Sequence, residues 1–202
     1  YDKSMPEETN RIIIDNLSQI LICPTQMARK NLYKENIKRN IFVHGDTNYE
    51  AIQKISSNLK KYNYLLKKYK IKKEEFIFLT IHRDFNSDNK KFLTKLFIAI
   101  KDFKHTFFFP MHPRTKKILE RENIKLNFKP IDPVGYFDMI ELLKKCAFVI
   151  SDSGGLQKES FFFEKQCIVI RDETEWTELI DLGYNYLVGA DTELIIKKAN
   201  QM

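Results

Sequence analysis

The chain has 202 residues, room for one large α/β domain or an ordinary domain plus part of another, and too few for two complete nucleotide-binding domains. Hydrophobic residues make up 43% and charged residues 30%, enough apolar material for a core; apolar runs such as 12–14 and 161–163 are far too short to cross a membrane. The net charge of +7 permits an anionic partner, but the excess is lysine scattered over helical and loop patterns, so neither nucleic acid nor a membrane is an expected partner.

The chain opens on Tyr1 and not on methionine, so a preceding piece is expected; no basic segment followed by an apolar run argues for secretion. Residues 6–17 read as a helix, with Pro6 in the first turn and Glu7 and Glu8 suited to the positive end of the helix dipole. Glu7 and Arg11 are four apart and share a face, so they can present a carboxylate and a guanidinium together. A buried-type strand is expected at 19–23, a helix at 25–35 and a strand at 40–43. At Gly45-Asp46-Thr47 a strand pattern ends in a turn before a long lysine-rich helix, 49–70, and a domain boundary is expected there. Strands follow at 75–79, 106–109, 148–150 and 167–170, with helices at 89–101, 114–122, 137–145 and 156–163. Short buried strands alternating with amphipathic helices imply βαβ units, hence an α/β, Rossmann-like parallel sheet covered on both faces. Cys23, Cys146 and Cys167 form no CxxC pair and have no matching histidines, which argues against zinc and against a disulfide framework. They read as small buried residues of a reducing, cytoplasmic compartment.

Ligands of open parallel sheets sit beyond the carboxyl ends of the strands. Four consecutive strand ends carry residues capable of chemistry: Thr80-Ile81-His82-Arg83, Pro110-Met111-His112-Pro113, Ser151-Asp152-Ser153-Gly154-Gly155 and Arg171-Asp172-Glu173-Thr174-Glu175. Gly154 and Gly155 stand between a strand and a helix, where bare backbone N–H groups meet the positive end of the helix dipole and can cradle a phosphate. Ser153 adds a hydroxyl donor, and Glu159 is a candidate acceptor for ribose hydroxyls. The competing reading is a tight strand-to-helix turn capped by a serine. His82 can act on a proton near neutral pH and Arg83 can pair with an anion; the bland alternative is a structural histidine beside a surface cation. His112, held between prolines, has the same two readings, and His44 and His105 are taken as structural. The glycine pattern is not GxGxxG, so no dinucleotide is implied.

In order along the chain, Met5-Pro6-Glu7-Glu8-Thr9-Asn10-Arg11, Cys23-Pro24-Thr25, Ala28 through Leu32, Ile41 through Thr47, Thr80 through Arg83, Pro110 through Pro113, Asp132-Pro133, Ser151 through Glu159, Arg171 through Glu175 and Leu187-Val188-Gly189 resemble the non-hydrolysing UDP-N-acetylglucosamine 2-epimerase family. The resemblance implies a glycosyltransferase-B-like pair of Rossmann-like domains, with residues 1–46 a remnant of the N-terminal domain and 47–202 the C-terminal UDP-binding domain. It implies inversion at C2 of a UDP-sugar by elimination and re-addition of UDP, without metal or nicotinamide. Carried over by motif, Ser153, Gly154 and Gly155 hold the diphosphate, Arg83 assists, and Glu159 takes the ribose. Glu7, Arg11 and His82 serve as catalytic residues, His112 as a regulatory or substrate contact, and a homodimer is implied for the full-length protein.

The departures bear on substrate and regulation. Trp176-Thr177 stands where family members usually have arginine and proline, and Asp84 stands where a second arginine often follows the His-Arg pair. That arginine belongs to a regulatory UDP-sugar site in the bacterial enzymes, so such regulation is not expected. Thr174-Glu175-Trp176 and the segments 136–139 and 157–163 look more like the branch acting on UDP-2,3-diacetamido-2,3-dideoxyglucuronate. The family's glycine-rich start, essential aspartate and another glutamate precede Tyr1, so this piece alone is expected to bind UDP weakly and not to epimerise. A UDP-sugar-binding module without turnover is the non-enzymatic alternative.

Overall fold

A computed structural model of the chain describes residues 6–58, 64–70, 72, 76–103 and 105–202, the side chains of Glu7, Asn58 and Asp102 being outside this set. Two compact units are present, Tyr1–Lys54 and Ile55–Met202. The expected boundary after residue 46 coincides with the start of α3 (Thr47–Asn58), whereas the division falls inside that helix.

The first unit contains α1 (Pro6–Leu17), β1 (Leu21–Cys23), α2 (Gln26–Lys34) and β2 (Ile41–Val43). Leu21 pairs with Ile41 and Cys23 with Val43 in a two-stranded parallel sheet. Thr25 starts α2 by accepting a hydrogen bond from the Ala28 N–H at 3.1 Å, which satisfies one of the orphan donors of a helix start. Ile14, Leu17, Ile20 and Ile22 are all more than half exposed, so this unit carries an uncovered apolar surface.

The second unit is built on a five-stranded, all-parallel sheet. Its strands are β3 (Phe76–Thr80), β4 (Thr106–Phe108), β5 (Val149–Ser151), β6 (Cys167–Val169) and β7 (Asn185–Leu187), in the spatial order β4-β3-β5-β6-β7. Helices α6 (Lys90–Ala99), α7 (Pro113–Arg121), α8 (Tyr136–Lys145), α9 (Gly154–Phe162) and α11 (Thr192–Ala199) make the crossovers and cover, with the short α4 (Tyr64–Tyr69), α5 (Asp84–Ser87) and α10 (Thr177–Asp181). Phe76, Ile77, Phe78 and Leu79 are all buried, as are all three residues of β5 and of β6. Continuous burial explains why these strands read as unbroken apolar runs and not as alternating ones. Leu93 and Leu96 of α6 and Ile195 of α11 pack into the same core. Each such side chain stabilises the fold by about 1.5–3 kcal/mol through removal from water.

The α/β class and the parallel pairing match the expectation, and the six anticipated strands are β1 to β6, two in the small sheet and four in the large one. β7, α5, α10 and α11 are additional. The expected single helix over 49–70 corresponds to α3 and α4 at its two ends; residues 59–63 between them lie outside the described set, as does Met5 of the first motif.

The strand order reverses direction at β3. The chain goes from β3 to β4 on one side, and returns to β5 on the other. Loops leaving the carboxyl ends of β3 and β5 therefore turn opposite ways and leave a crevice between them, the general ligand position in open α/β sheets.

Candidate active site

Both sides of that crevice are polar. From β3 come Ile81, His82 and Arg83; from β5 come Asp152, Ser153 and the first turn of α9. The two loops are tied together by Asp152, whose side chain is fully buried. One carboxylate oxygen, Oδ2, accepts from the backbone N–H groups of His82 and Arg83, each at 3.0 Å. The same oxygen accepts from Asn86 Nδ2 at 3.3 Å, and Asn86 in turn donates to the Ile170 carbonyl at 2.7 Å beyond β6. A buried carboxylate is tolerated because these donors replace its water. Its other oxygen lies 2.9 Å from His82 Nδ1, while the imidazole is 37% exposed. With Nδ1–H facing a carboxylate, the tautomer leaves Nε2 of the neutral ring as a proton acceptor.

The β5–α9 turn is held from both flanks. Thr80 and Ser151 hydroxyls meet at 2.6 Å, and Ser151 Oγ accepts from the Ser153 N–H at 2.9 Å. Ser153 is the N-cap of α9, its Oγ accepting from the Leu156 N–H at 3.3 Å. The capping reading is thus realised, and the hydroxyl proton still has a donor role open to it. Gly154 and Gly155 are the first two helical residues, so their N–H groups have no intrahelical acceptor. A side chain at Gly154 would collide with the Glu175 carboxylate, whereas one at Gly155 would meet only Ser153 Oγ, at 3.9 Å. A side chain at 154 would therefore have to displace the partly exposed Glu175 carboxylate from its pair with Arg171, whereas one at 155 would displace nothing.

A loop after β6 braces the same helix start. Arg171 Nη1 pairs with Glu175 at 2.9 Å. Thr174 Oγ1 donates to the buried Gln157 at 2.6 Å, and Trp176 Nε1 donates to the Gly154 carbonyl at 2.9 Å. Lys158 Nζ lies 4.9 Å from the centre of the Trp176 ring, a cation–π contact. Trp176, at the expected departure from the family pattern, is thus a brace for the glycine turn.

Glu159 is 8% exposed on α9, and burial raises its pKa above the usual carboxylate range. The Tyr136 hydroxyl, from the first residue of α8, donates to Glu159 Oε1 at 3.0 Å. Burial of that hydroxyl and the Glu159 charge push the Tyr136 pKa up to about 12.

The expected site residues separate into three groups. His82, Arg83, Ser153, Gly154, Gly155 and Glu159 belong to the β3 and β5 ends and α9. His112 lies beside them, its ring centroid 6.2 Å from that of His82, but its Nδ1 accepts from the Arg114 N–H at 3.2 Å and caps α7. Glu7 and Arg11 are in the first unit. Arg11 there pairs with Glu8 at 2.8 Å, Asp15 at 2.6 Å and Glu35 at 2.6 Å, and these carboxylates hold its pKa well above the ordinary arginine value. The Glu7 side chain, expected to share that face, is outside the described residues. Asp152, Tyr136 and Trp176 lie in segments the sequence singles out but carry no site role there, and Asn86 lies in none of them. Asp152 has a signal for a site role, a carboxylate directly after a buried strand; the contact of Tyr136 with Glu159 has none, because the two are 23 residues apart. Cys23, Cys146 and Cys167 are buried and unbridged. Among the described residues no cluster of three or more His, Cys, Asp or Glu side chains could hold a metal ion, and no helix is long and apolar enough to cross a membrane.

This arrangement has known relatives. A family model described as UDP-N-acetylglucosamine 2-epimerase matches residues 1–202. A UDP-N-acetylglucosamine 2-epimerase homolog of Methanococcus maripaludis is 38% identical over the whole chain, which spans 58% of that relative's length. The UDP-2,3-diacetamido-2,3-dideoxy-D-glucuronate 2-epimerase of Pseudomonas aeruginosa is 39% identical over 98% of the chain and 56% of its own length. In structure, the chain is similar to the Methanocaldococcus jannaschii UDP-GlcNAc 2-epimerase solved in complex with UDP-GlcNAc and UDP, with a TM-score of 0.88 and 36% identity over all of this chain and 59% of that one. The sheet with its polar switch point and glycine-started helix, together with a family match along the full 202 residues, leads to one assignment: the chain belongs to the UDP-N-acetylglucosamine 2-epimerase family.

Proposed function

We propose that the intact protein is a UDP-N-acetylglucosamine 2-epimerase, and that the second unit described here is its UDP-binding part. The observation that carries this reading is the juxtaposition, in a chain of this family, of the His82–Asp152 pair with the open N–H groups of the α9 start. Ser153, Gly154 and Gly155 receive the diphosphate, aided by the helix dipole and by Arg83. Glu159 accepts from the ribose.

In the reaction, a base removes the C2 proton, the C2–H electrons form the C1=C2 double bond, and the C1–O bond breaks to release UDP. Re-addition of UDP to the glycal, with a proton delivered to the opposite face of C2, gives the epimer. The scheme consists of proton transfers and cleavage and re-formation of the C1–O bond, and as proposed it invokes neither nicotinamide nor metal. His82 sits by the diphosphate and the reacting centre, where a proton-accepting Nε2 backed by Asp152 serves general acid–base chemistry. Glu7 and Arg11 are assigned catalytic roles by motif, and His112 a substrate or regulatory contact. A cytoplasmic homodimer is the assembly this reading favours.

A second substrate is favoured by a specific feature. Trp176 replaces a cation of the family pattern, and the Pseudomonas aeruginosa relative is as similar as the others. UDP-2,3-diacetamido-2,3-dideoxyglucuronate is therefore the alternative. The test is to incubate the intact protein separately with each UDP-sugar and follow the anomeric protons by NMR. Conversion of UDP-GlcNAc to UDP-ManNAc supports the first reading, conversion of the diacetamido uronate alone supports the second, and UDP binding without conversion of either supports a non-catalytic module.

A further inference from the structure

Glu159 is a buried carboxylate with its two oxygens in different situations. Oε1 accepts the Tyr136 hydroxyl at 3.0 Å. Oε2 has no hydrogen-bond partner among the described residues, yet is not among the atoms sealed from solvent. A buried carboxylate with one oxygen fixed and the other accessible is built to accept a further donor from outside the protein. The fixing group is well suited to its task. Tyr136 starts α8, so its backbone is anchored by a helix, and its raised pKa keeps the phenol a donor throughout the neutral range. Its ring is 42% exposed, so the hydroxyl contact and not core packing is what Tyr136 contributes here.

We propose that Tyr136 is the positioning residue of the ribose subsite: by holding Glu159 Oε1 it directs Oε2 to a ribose hydroxyl and so sets the preference for ribonucleotide over deoxyribonucleotide diphosphates. This rests on the reading of the site as one for a UDP-sugar. A carboxylate free to rotate spreads its acceptor over several orientations, and a ribose hydroxyl must then be bound at the cost of fixing it.

The test is calorimetric titration of the intact protein with UDP, 2′-deoxy-UDP and 3′-deoxy-UDP, comparing wild type, Tyr136→Phe, Glu159→Gln and the double variant. Wild type is expected to bind UDP about tenfold more tightly than at least one deoxy analogue, the loss of one hydrogen bond to a charged group. Tyr136→Phe is expected to weaken UDP several-fold, roughly one net hydrogen bond, with the deoxy analogues changed by less than about twofold, so that the preference collapses. In the double variant Tyr136→Phe adds no loss to that of Glu159→Gln, because both act on one contact. An unchanged preference in Tyr136→Phe, or an equal loss for all three nucleotides, overturns the proposal. Absence of UDP binding by wild type instead overturns the UDP-sugar reading, and the proposal with it.

Discussion

The two adjacent glycines of α9 differ in what they are for. At 154 a methyl group would press on the Glu175 carboxylate, which pairs with Arg171. At 155 a methyl group meets only Ser153 Oγ, at an ordinary contact distance of 3.9 Å, and alanine is a better helix former than glycine by up to about 1 kcal/mol. Gly155→Ala should therefore leave thermal stability unchanged or slightly raised while weakening UDP about tenfold or more, as the methyl occupies the anion's approach. Equal UDP affinity for wild type and Gly155→Ala, by calorimetry, would show that the glycine serves only the turn. For His82, replacement by alanine should lower kcat about 10²–10⁴-fold, the usual contribution of a positioned acid–base group. Asp152→Asn should also lower kcat, and it should cost stability as well, because its Oδ2 accepts backbone N–H groups of the β3 loop. Glu159 makes a prediction in pH. Burial raises its pKa, so it takes up its proton at higher pH than an ordinary glutamate, and UDP affinity falls on acidification as the acceptor is lost. Glu159→Gln should remove that component, the comparison cancelling the nucleotide's own phosphate titration. For folding the sign is opposite: the protonated form is favoured in the native state, and this stabilisation is lost as pH rises through the raised value.

At the level of elements, the crevice depends on loops being strapped across strands. Asn86 joins the β3 loop to the β6 end through Asp152 and the Ile170 carbonyl and is itself 1% exposed. Asn86→Ala should therefore destabilise the protein by about 1–3 kcal/mol, the cost of leaving a buried acceptor unsatisfied, measurable by urea denaturation. Most of the framework was legible beforehand. Phe76 to Leu79, and β5 and β6, are buried on both faces, so their apolar runs announce themselves without alternation. β7 escaped because Asn185-Tyr186-Leu187 carries only two apolar residues, although Gly183 and Gly189, both with positive φ, bracket it. The candidate cluster could be read because strand ends are where ligands bind, and four of them were polar. Its internal wiring could not: the Tyr136–Glu159 and His82–Asp152 contacts join residues far apart in sequence, and only the sheet order brings them together.

For the molecule as a whole, length is the governing fact. The chain spans 58% of a Methanococcus maripaludis relative, and its first unit leaves Ile14, Leu17, Ile20 and Ile22 more than half exposed on and beside a two-stranded sheet. The positive charge is carried largely by lysines, with Arg171 and Lys158 among the cations near the glycine turn. The central claim is that the intact protein inverts C2 by proton removal, elimination and re-addition. Its most direct test is turnover of UDP-GlcNAc by the intact protein in heavy water, with NMR or mass analysis of the product at C2. Deuterium at C2 of UDP-ManNAc is the predicted result, and epimerisation with full retention of the original C2 proton would contradict it.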